Sequence, residues 1–255
     1  MISNKTKGVF WMLISVLGFT FMSIAIKYLP RIPTYEKVFF RNSVSLMLSA
    51  FILFKQKESI KVEKENIPFV FGRSFFGFVG MVANFYALEY LTMAEANMLN
   101  KLSPVFVTIC ACIFLKERVD KKQVIGIILM LLAVVFVIKP SFSPEIIPSL
   151  AGLSSAVLAG FSYTIIRYLN GKVKSEINVL YFSLLSVVCT FPLMMMNFVK
   201  PTLSEFLILL GGIGISAAIG QFGLTYAYTF APASEVSIYN YVIIITSMLM
   251  DYILF

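Results

Sequence analysis

The sequence predicts an all-α polytopic membrane protein whose transmembrane helices form two inverted repeats, five helices in the first and four in the second. Three observations lead there. Of the 255 residues, 59% are hydrophobic and only 13% charged, with a mean hydropathy of +0.88; soluble domains are about 25% charged. Hydrophobic segments fall at about 8–29, 36–54, 68–90, 94–115, 121–139, 149–169, 178–199, 204–229 and 236–255, each near the roughly 20 residues that a helix needs to cross hydrocarbon. Finally, polar, glycine and tyrosine residues recur 140 positions apart.

In chain order, Lys5 and Lys7 precede the first span as they would precede a signal peptide, but the apolar run is too long for one, so we read it as an uncleaved span. The second span carries Arg41, Ser45 and Ser49 on one face, and a charged loop, KQKESIKVEKENI at 55–67, follows it. In the third, Arg73, Gly77, Gly80 and Asn84 are spaced four, three and four, which places them on one helix face. Such glycines serve either close helix packing or a binding wall. Arg41 and Arg73 lie four to six residues inside their spans and could equally snorkel to the interface.

The fourth span, read as one helix over 94–115, is the most informative. Asn97, Asn100, Lys101 and Pro104 occupy its first half, and Asn97, Lys101, Pro104 and Thr108 share a face. A central lysine costs about 2.5–3.5 kcal/mol on insertion scales, so something must offset it. Pro104 lacks an N–H and leaves the Asn100 carbonyl without its helical donor. That is tolerable only where the carbonyl faces protein or a water-filled cavity. Lys116, Arg118, Lys121 and Lys122 close the segment. The remaining spans are joined by short connections holding Pro140 and Pro144, Asn170-Gly171, Pro201 and Pro232. Lys27 and Arg167 stand at span ends as interface anchors, Met194, Met195 and Met196 read as apolar filler, and Tyr86 and Tyr226 suit an aromatic belt or a cavity equally.

Orientation follows from lysine and arginine. With the N-terminus inside, cytoplasmic segments hold Lys5, Lys7, Lys55, Lys57, Lys61, Lys64, Lys116, Arg118, Lys121, Lys122, Lys172 and Lys174, against Arg31, Lys37, Lys139 and Lys200 outside. Twelve against four predicts a cytoplasmic N-terminus.

At the offset of 140, Ser15 meets Ser155, Lys27 meets Arg167, Tyr28-Leu29 meets Tyr168-Leu169, and Glu36 meets Glu176. Ser43 likewise meets Ser183, Gly72 and Gly80 meet Gly212 and Gly220, Tyr86-Ala87 meets Tyr226-Ala227, Glu95 meets Glu235, and Asn100 meets Asn240. Repeats of 1–139 and 140–255 follow. Five helices is an odd number, so the second copy must be inverted, as in secondary carriers with a midplane site. The fifth span predicts a partner at about 261–279, beyond Phe255. We therefore expect a fragment or truncated form of a ten-helix protein, the alternative being a nine-helix variant.

The run AEANMLNKLSPVF, followed by FLKE and a further hydrophobic helix, resembles the end of an EamA domain of the drug/metabolite transporter superfamily. As a pattern of helices the resemblance covers essentially the whole chain. It implies a small-molecule carrier, with ten helices in two inverted five-helix repeats as the usual form.

Composition excludes much other chemistry. The absence of histidine removes histidine-based triads and most zinc sites. No Walker motif is present to suggest an intrinsic ATP motor, and an intramembrane enzyme would lack a nucleophile–base pair, so we expect no enzyme and no cofactor. Cys110, Cys112 and Cys189 lie in apolar segments and read as reduced, buried small residues. The embedded charges are mostly positive, namely Arg41, Arg73 and Lys101. Glu36, Glu89, Glu95 and Glu235 lie near helix ends, and Asp251 in the ninth span is the acid placed to balance Lys101.

The predicted function is secondary active transport of small organic metabolites, anionic or zwitterionic, by alternating access. The alternative is a transport-defective or truncated membrane subunit with an assembly role. Lys101, Asn97, Asn100, Arg41, Arg73, Asn84, Tyr86, Asn240, Tyr241 and Asp251 are the candidate solute-binding residues, with Lys101 central. The expected partners are the solute and membrane lipids, not nucleic acid, because the basic residues serve topology and anionic lipid contact. A homodimer is left open. The expected location is a bacterial plasma (inner) membrane.

Overall fold

A computed structural model describes residues 4–115, 125, 128–129, 146–231 and 236–254, and no strand occurs among them. The helices are α1 (Asn4–Lys27), α2 (Thr34–Lys55), α3 (Ile67–Tyr90), α4 (Met93–Asn100), α5 (Ser103–Leu115), α6 (Ile146–Leu169), α7 (Ser175–Met196), α8 (Leu203–Leu207), α9 (Ser216–Phe230) and α10 (Val242–Leu254). Among the described residues, seven helices are long and apolar enough to cross a membrane, and Tyr239–Leu254 is a shorter apolar helix. Apart from 125 and 128–129, the fifth predicted span lies outside the described residues, as do the basic cluster Lys116 to Lys122 and Glu235. Large apolar side chains such as Phe51, Phe54, Phe71 and Met47 are left on the outer surface, where lipid tails rather than water cover them.

Side-chain contacts place the helix ends. At one end, Lys174, preceding α7, pairs with Glu58 after α2, Ser175 bonds Thr229 near the end of α9, Lys7 of α1 lies over Phe230, and Phe69 at the start of α3 meets Tyr168 at the end of α6. At the other end, Thr34 and Lys37 at the start of α2 bond Glu89 near the end of α3, and Lys27 at the end of α1 donates to the Leu91 carbonyl. There too, Arg31 forks onto Glu205, and Asp251 of α10 accepts from the Ala94 N–H. The Glu205 carboxylate, hydrogen-bonded to Arg31, holds that guanidinium above its ordinary pKa. At the Lys174 end, therefore, α1 begins and α6 finishes.

The tightest packing runs between α1 and α9, α3 and α6, and α2 and α7. Glycines permit it. A Cβ on Gly18 would stand 2.6 Å from the Gly220 N and Ser216 O of α9, so these backbones touch directly. On the α3–α6 seam, a Cβ on Gly80 would meet Leu158 at 3.1 Å. Gly72 faces Ile165, and Gly212 faces Ala25.

Three predicted spans depart from a regular helix. The fourth is broken: α4 ends at Asn100, and α5 starts at Ser103 with Pro104 second, where its missing N–H costs nothing. The proline ring would collide with the Asn100 carbonyl in a continuous helix, so the chain makes short turns, Leu102 N–H to Leu99 O and Val105 N–H to Leu102 O. In the eighth, Ile208–Ile215 is π-helical between α8 and α9. It carries Gly211, Gly212 and Gly214, and a Cβ on Gly214 would lie 2.5 Å from Val44 of α2. The ninth opens with a 3₁₀ turn, Ser237–Tyr241, before α10. Cys110 is buried as expected, whereas Cys112 and Cys189 are half-buried, on positions that packing leaves partly open.

Candidate functional site

Where the broken fourth span crosses the centre of the molecule, the helices leave a polar cavity of about 80 Å³. Helix α3 supplies one wall through Arg73, Gly77, Gly80, Met81 and Asn84, and α2 contributes Arg41. Asn97, Asn100 and Lys101 come from α4 and its C-cap. Phe19 and Ser23 of α1, Ser155, Ser162 and Tyr163 of α6, Phe182 of α7 and Gln221 of α9 complete it. Arg41, Arg73 and Lys101 are 4%, 1% and 6% exposed, yet among the described residues the lining contains no aspartate or glutamate.

The protein compensates these charges only partly. The Arg73 guanidinium lies 4.2 Å from the Phe182 ring centre and that of Arg41 lies 5.7 Å from it, which contributes up to about 2 kcal/mol per desolvated pair. Arg41 also donates to Asn42 Oδ1 at 3.0 Å, to Met81 Sδ at 2.6 Å and to Gln221 Oε1 at 3.4 Å. Nε of Arg41, and Nε and Nη1 of Arg73, are buried without a hydrogen-bond partner among the described residues. Lys101 sits 5.9 Å over Phe19. Asn97 donates to Ser247 of α10, and Asn100 to Ser155 of α6, fixing the first half of the broken span against its neighbours.

Six of the ten sequence-derived candidates thus meet: Lys101, Asn97, Asn100, Arg41, Arg73 and Asn84. The arginines do not snorkel, because α6, α7 and α9 cover them. The other four stand elsewhere. Tyr86 packs against Tyr90 with the rings tilted and 4.8 Å apart, while Asn240 is buried with Oδ1 unpartnered among the described residues and lies off the cavity, as does Tyr241. Asp251 caps the α4 N-terminus at 2.9 Å and forms no ion pair with Lys101; helix-end N–H groups attract a carboxylate. Ser45, Ser49 and Thr108 bond backbone carbonyls of their own helices.

Sequence reasoning missed Phe19, Phe182, Tyr163, Ser162 and Gln221. Gln221 left a signal, as a polar residue inside a span, 140 positions from Met81, and these two mates converge on Arg41.

Comparison with known proteins agrees with this architecture. Residues 6–139, more than half of the chain, match the EamA-like transporter family. The pseudopaline exporter CntI of Pseudomonas aeruginosa (strain UCBPP-PA14) is 30% identical over 238 residues, 92% of this chain and 83% of that protein. The chain belongs to the EamA-like transporter family. Mouse solute carrier family 35 member G1 is 25% identical to this EamA-like transporter over 249 residues, 91% of the chain and 67% of the carrier. A solved crystal structure with 19% identity superposes with a TM-score of 0.73, covering 95% of this chain and 87% of the other, which shows the shared fold. This EamA-like protein is an integral membrane transporter of small molecules, not an enzyme.

Proposed function

We propose that the protein is a secondary carrier for a small anionic or zwitterionic organic solute, working by alternating access between inverted repeats 1–139 and 140–255. The observation that carries this reading is one central cavity shared, among the described residues, by three buried cations and no carboxylate.

Contacts 140 positions apart support the repeats. Gly72 faces Ile165 as Gly212 faces Ala25, and Gly80 faces Leu158 as Gly220 and Gly18 approach each other. Each residue in the first of these pairs of contacts has its counterpart in the second. That α1 begins where α6 finishes supports inversion, with α1 and α6 as equivalent helices.

A second cavity of about 210 Å³ lies toward the Lys174 end, lined by Arg167, Asn170, Tyr228 and Thr229, and Tyr163 lines both cavities. Tyr163 packs on Tyr228 at 5.7 Å. We read this pair as a thin inner gate, and the ion-paired Glu89 end as a closed outer gate. With the N-terminus in the cytoplasm of a bacterial plasma membrane, the vestibule faces inward.

Counterflow in proteoliposomes tests this. Lys101→Met should abolish exchange of organic acids while insertion and thermal stability persist. Unaltered uptake in that variant would remove the cavity from the transport path.

A further inference from the structure

We propose that the central cavity is built for a solute carrying two separated acidic groups, a dicarboxylate in the simplest case, and not for a monoacid, an amino acid or an amine. The proposal rests on the carrier-site reading above and narrows it.

The cations form two poles on different aromatic faces. At one pole, both guanidiniums lie on Phe182 of α7, with Arg73 at 4.2 Å and Arg41 at 5.7 Å. At the other, the Lys101 ammonium lies on Phe19 of α1 at 5.9 Å. Buried charge is costly unless paired, and among the described residues no aspartate or glutamate lines the space to pair with any of the three. A single carboxylate could neutralise one pole and would leave the other unpaired. Three guanidinium nitrogens, Nε of Arg41 and Nε and Nη1 of Arg73, are buried donors without an acceptor among the described residues. Arginine is also the side chain best shaped for a planar carboxylate.

The neutral residues fit the rest of such a molecule. Asn84 and Asn97 line the cavity, and the buried Asn84 Oδ1 has no partner among the described residues, which suits hydroxyl or amide groups along the solute's middle. An amine would add a fourth positive charge where no carboxylate stands among the described lining residues.

The test uses the purified full-length chain in detergent, with binding followed by isothermal titration and by ligand-induced thermal shift. The probes are butanoate, succinate, glutarate, adipate, putrescine and inorganic phosphate. The expected result is that at least one diacid binds ten-fold or more tightly than butanoate, with no binding of putrescine. Lys101→Met should cut diacid affinity at least ten-fold and leave butanoate within about three-fold, because the guanidinium pole remains. Arg73→Gln should weaken both. Butanoate or putrescine equal to the best diacid would overturn the proposal, and so would phosphate matching the diacids, since that marks one compact dianion site. Failure of every acid to bind the wild-type chain also overturns it, without reliance on any variant. The carrier reading fails separately: a diacid that binds with this pattern but shows no flux in proteoliposomes keeps the site and removes the transport assignment.

Discussion

Gly77 and Gly18 show how differently two glycines on helix seams can act. A Cβ on Gly77 would fall 2.8 Å from Arg73 Nη1 and 3.1 Å from both Phe182 and Ser162 Oγ. Its nearest neighbour is the far end of a long side chain, which can move. Gly77→Ala should therefore displace the guanidinium from Phe182, reducing solute-induced thermal stabilisation while lowering the unliganded melting temperature by only a few degrees. A Cβ on Gly18 would meet backbone atoms at 2.6 Å, which cannot yield without separating α1 from α9. Gly18→Ala should cost about 1–3 kcal/mol, the range for overpacking, read as a large drop in thermal stability with or without solute. Equal effects of the two substitutions would mean that Gly77 serves packing alone. A glycine stripe in the sequence reports a close approach. Whether the approaching group is a backbone or a functional side chain is decided by a different helix.

Among the elements, the broken fourth span and the α2–α3 latch stand out. Proline accounts for a break near Pro104, but the ninth span also changes character, from 3₁₀ to α, at Tyr241 and Val242, 140 residues beyond Lys101 and Leu102 and without a proline. The fourth span is interrupted there, whereas the ninth runs on unbroken and only changes pitch; an interrupted helix is one way in which carriers expose backbone to a central site. The latch is the ion pair of Lys37 with Glu89 at 2.7 Å, in which Lys37 is 1% exposed and Glu89 is 23% exposed, with Thr34 sharing the carboxylate. Glu89→Gln leaves a buried ammonium without its counter-charge. We expect a loss of about 1–3 kcal/mol, less than for a fully buried pair because Glu89 is partly open to solvent. Lys37→Met in the same chain should recover most of it. A double-mutant cycle in thermal unfolding measures the coupling, and additivity of the two substitutions would show that the pair holds nothing closed.

At the scale of the whole molecule, the two ends treat their basic residues differently. Toward the Glu89 end, Arg31, Lys37 and Lys27 are each engaged by a carboxylate or a carbonyl. Toward the Lys174 end, Lys55, Lys57, Lys61 and Lys64 are exposed, while Lys174 pairs with Glu58 and Lys172 lies over Tyr168. Exposed surface lysines are what the inner leaflet attracts, in line with the orientation that the lysine count predicts. A reporter fused after Lys61 should be active on the cytoplasmic side, and one after Asn197 on the outer side. The reverse pattern would invert the membrane orientation and exchange the proposed gates.

The membrane class and the apolar spans among the described residues were legible in the amino-acid order alone. Both depend on a local quantity, because a bilayer demands about 20 apolar residues per helix. The embedded Arg41, Arg73 and Lys101 were legible for the same reason, since a charge inside an apolar run needs an explanation wherever it points. What they point at was not. Asp251 shares a half of the bilayer with Lys101 in the sequence reading, yet it caps α4. Nothing in the amino-acid order sets Phe182 and Phe19 apart from the other apolar residues of their spans, yet they hold the guanidiniums and the ammonium. Rotation of a helix about its own axis is set by packing against neighbours far along the chain, through contacts such as Gly18 on Gly220 and Gly80 on Leu158. In an apolar span hydropathy carries little information about that rotation, so only the tertiary structure could decide which residues share the cavity.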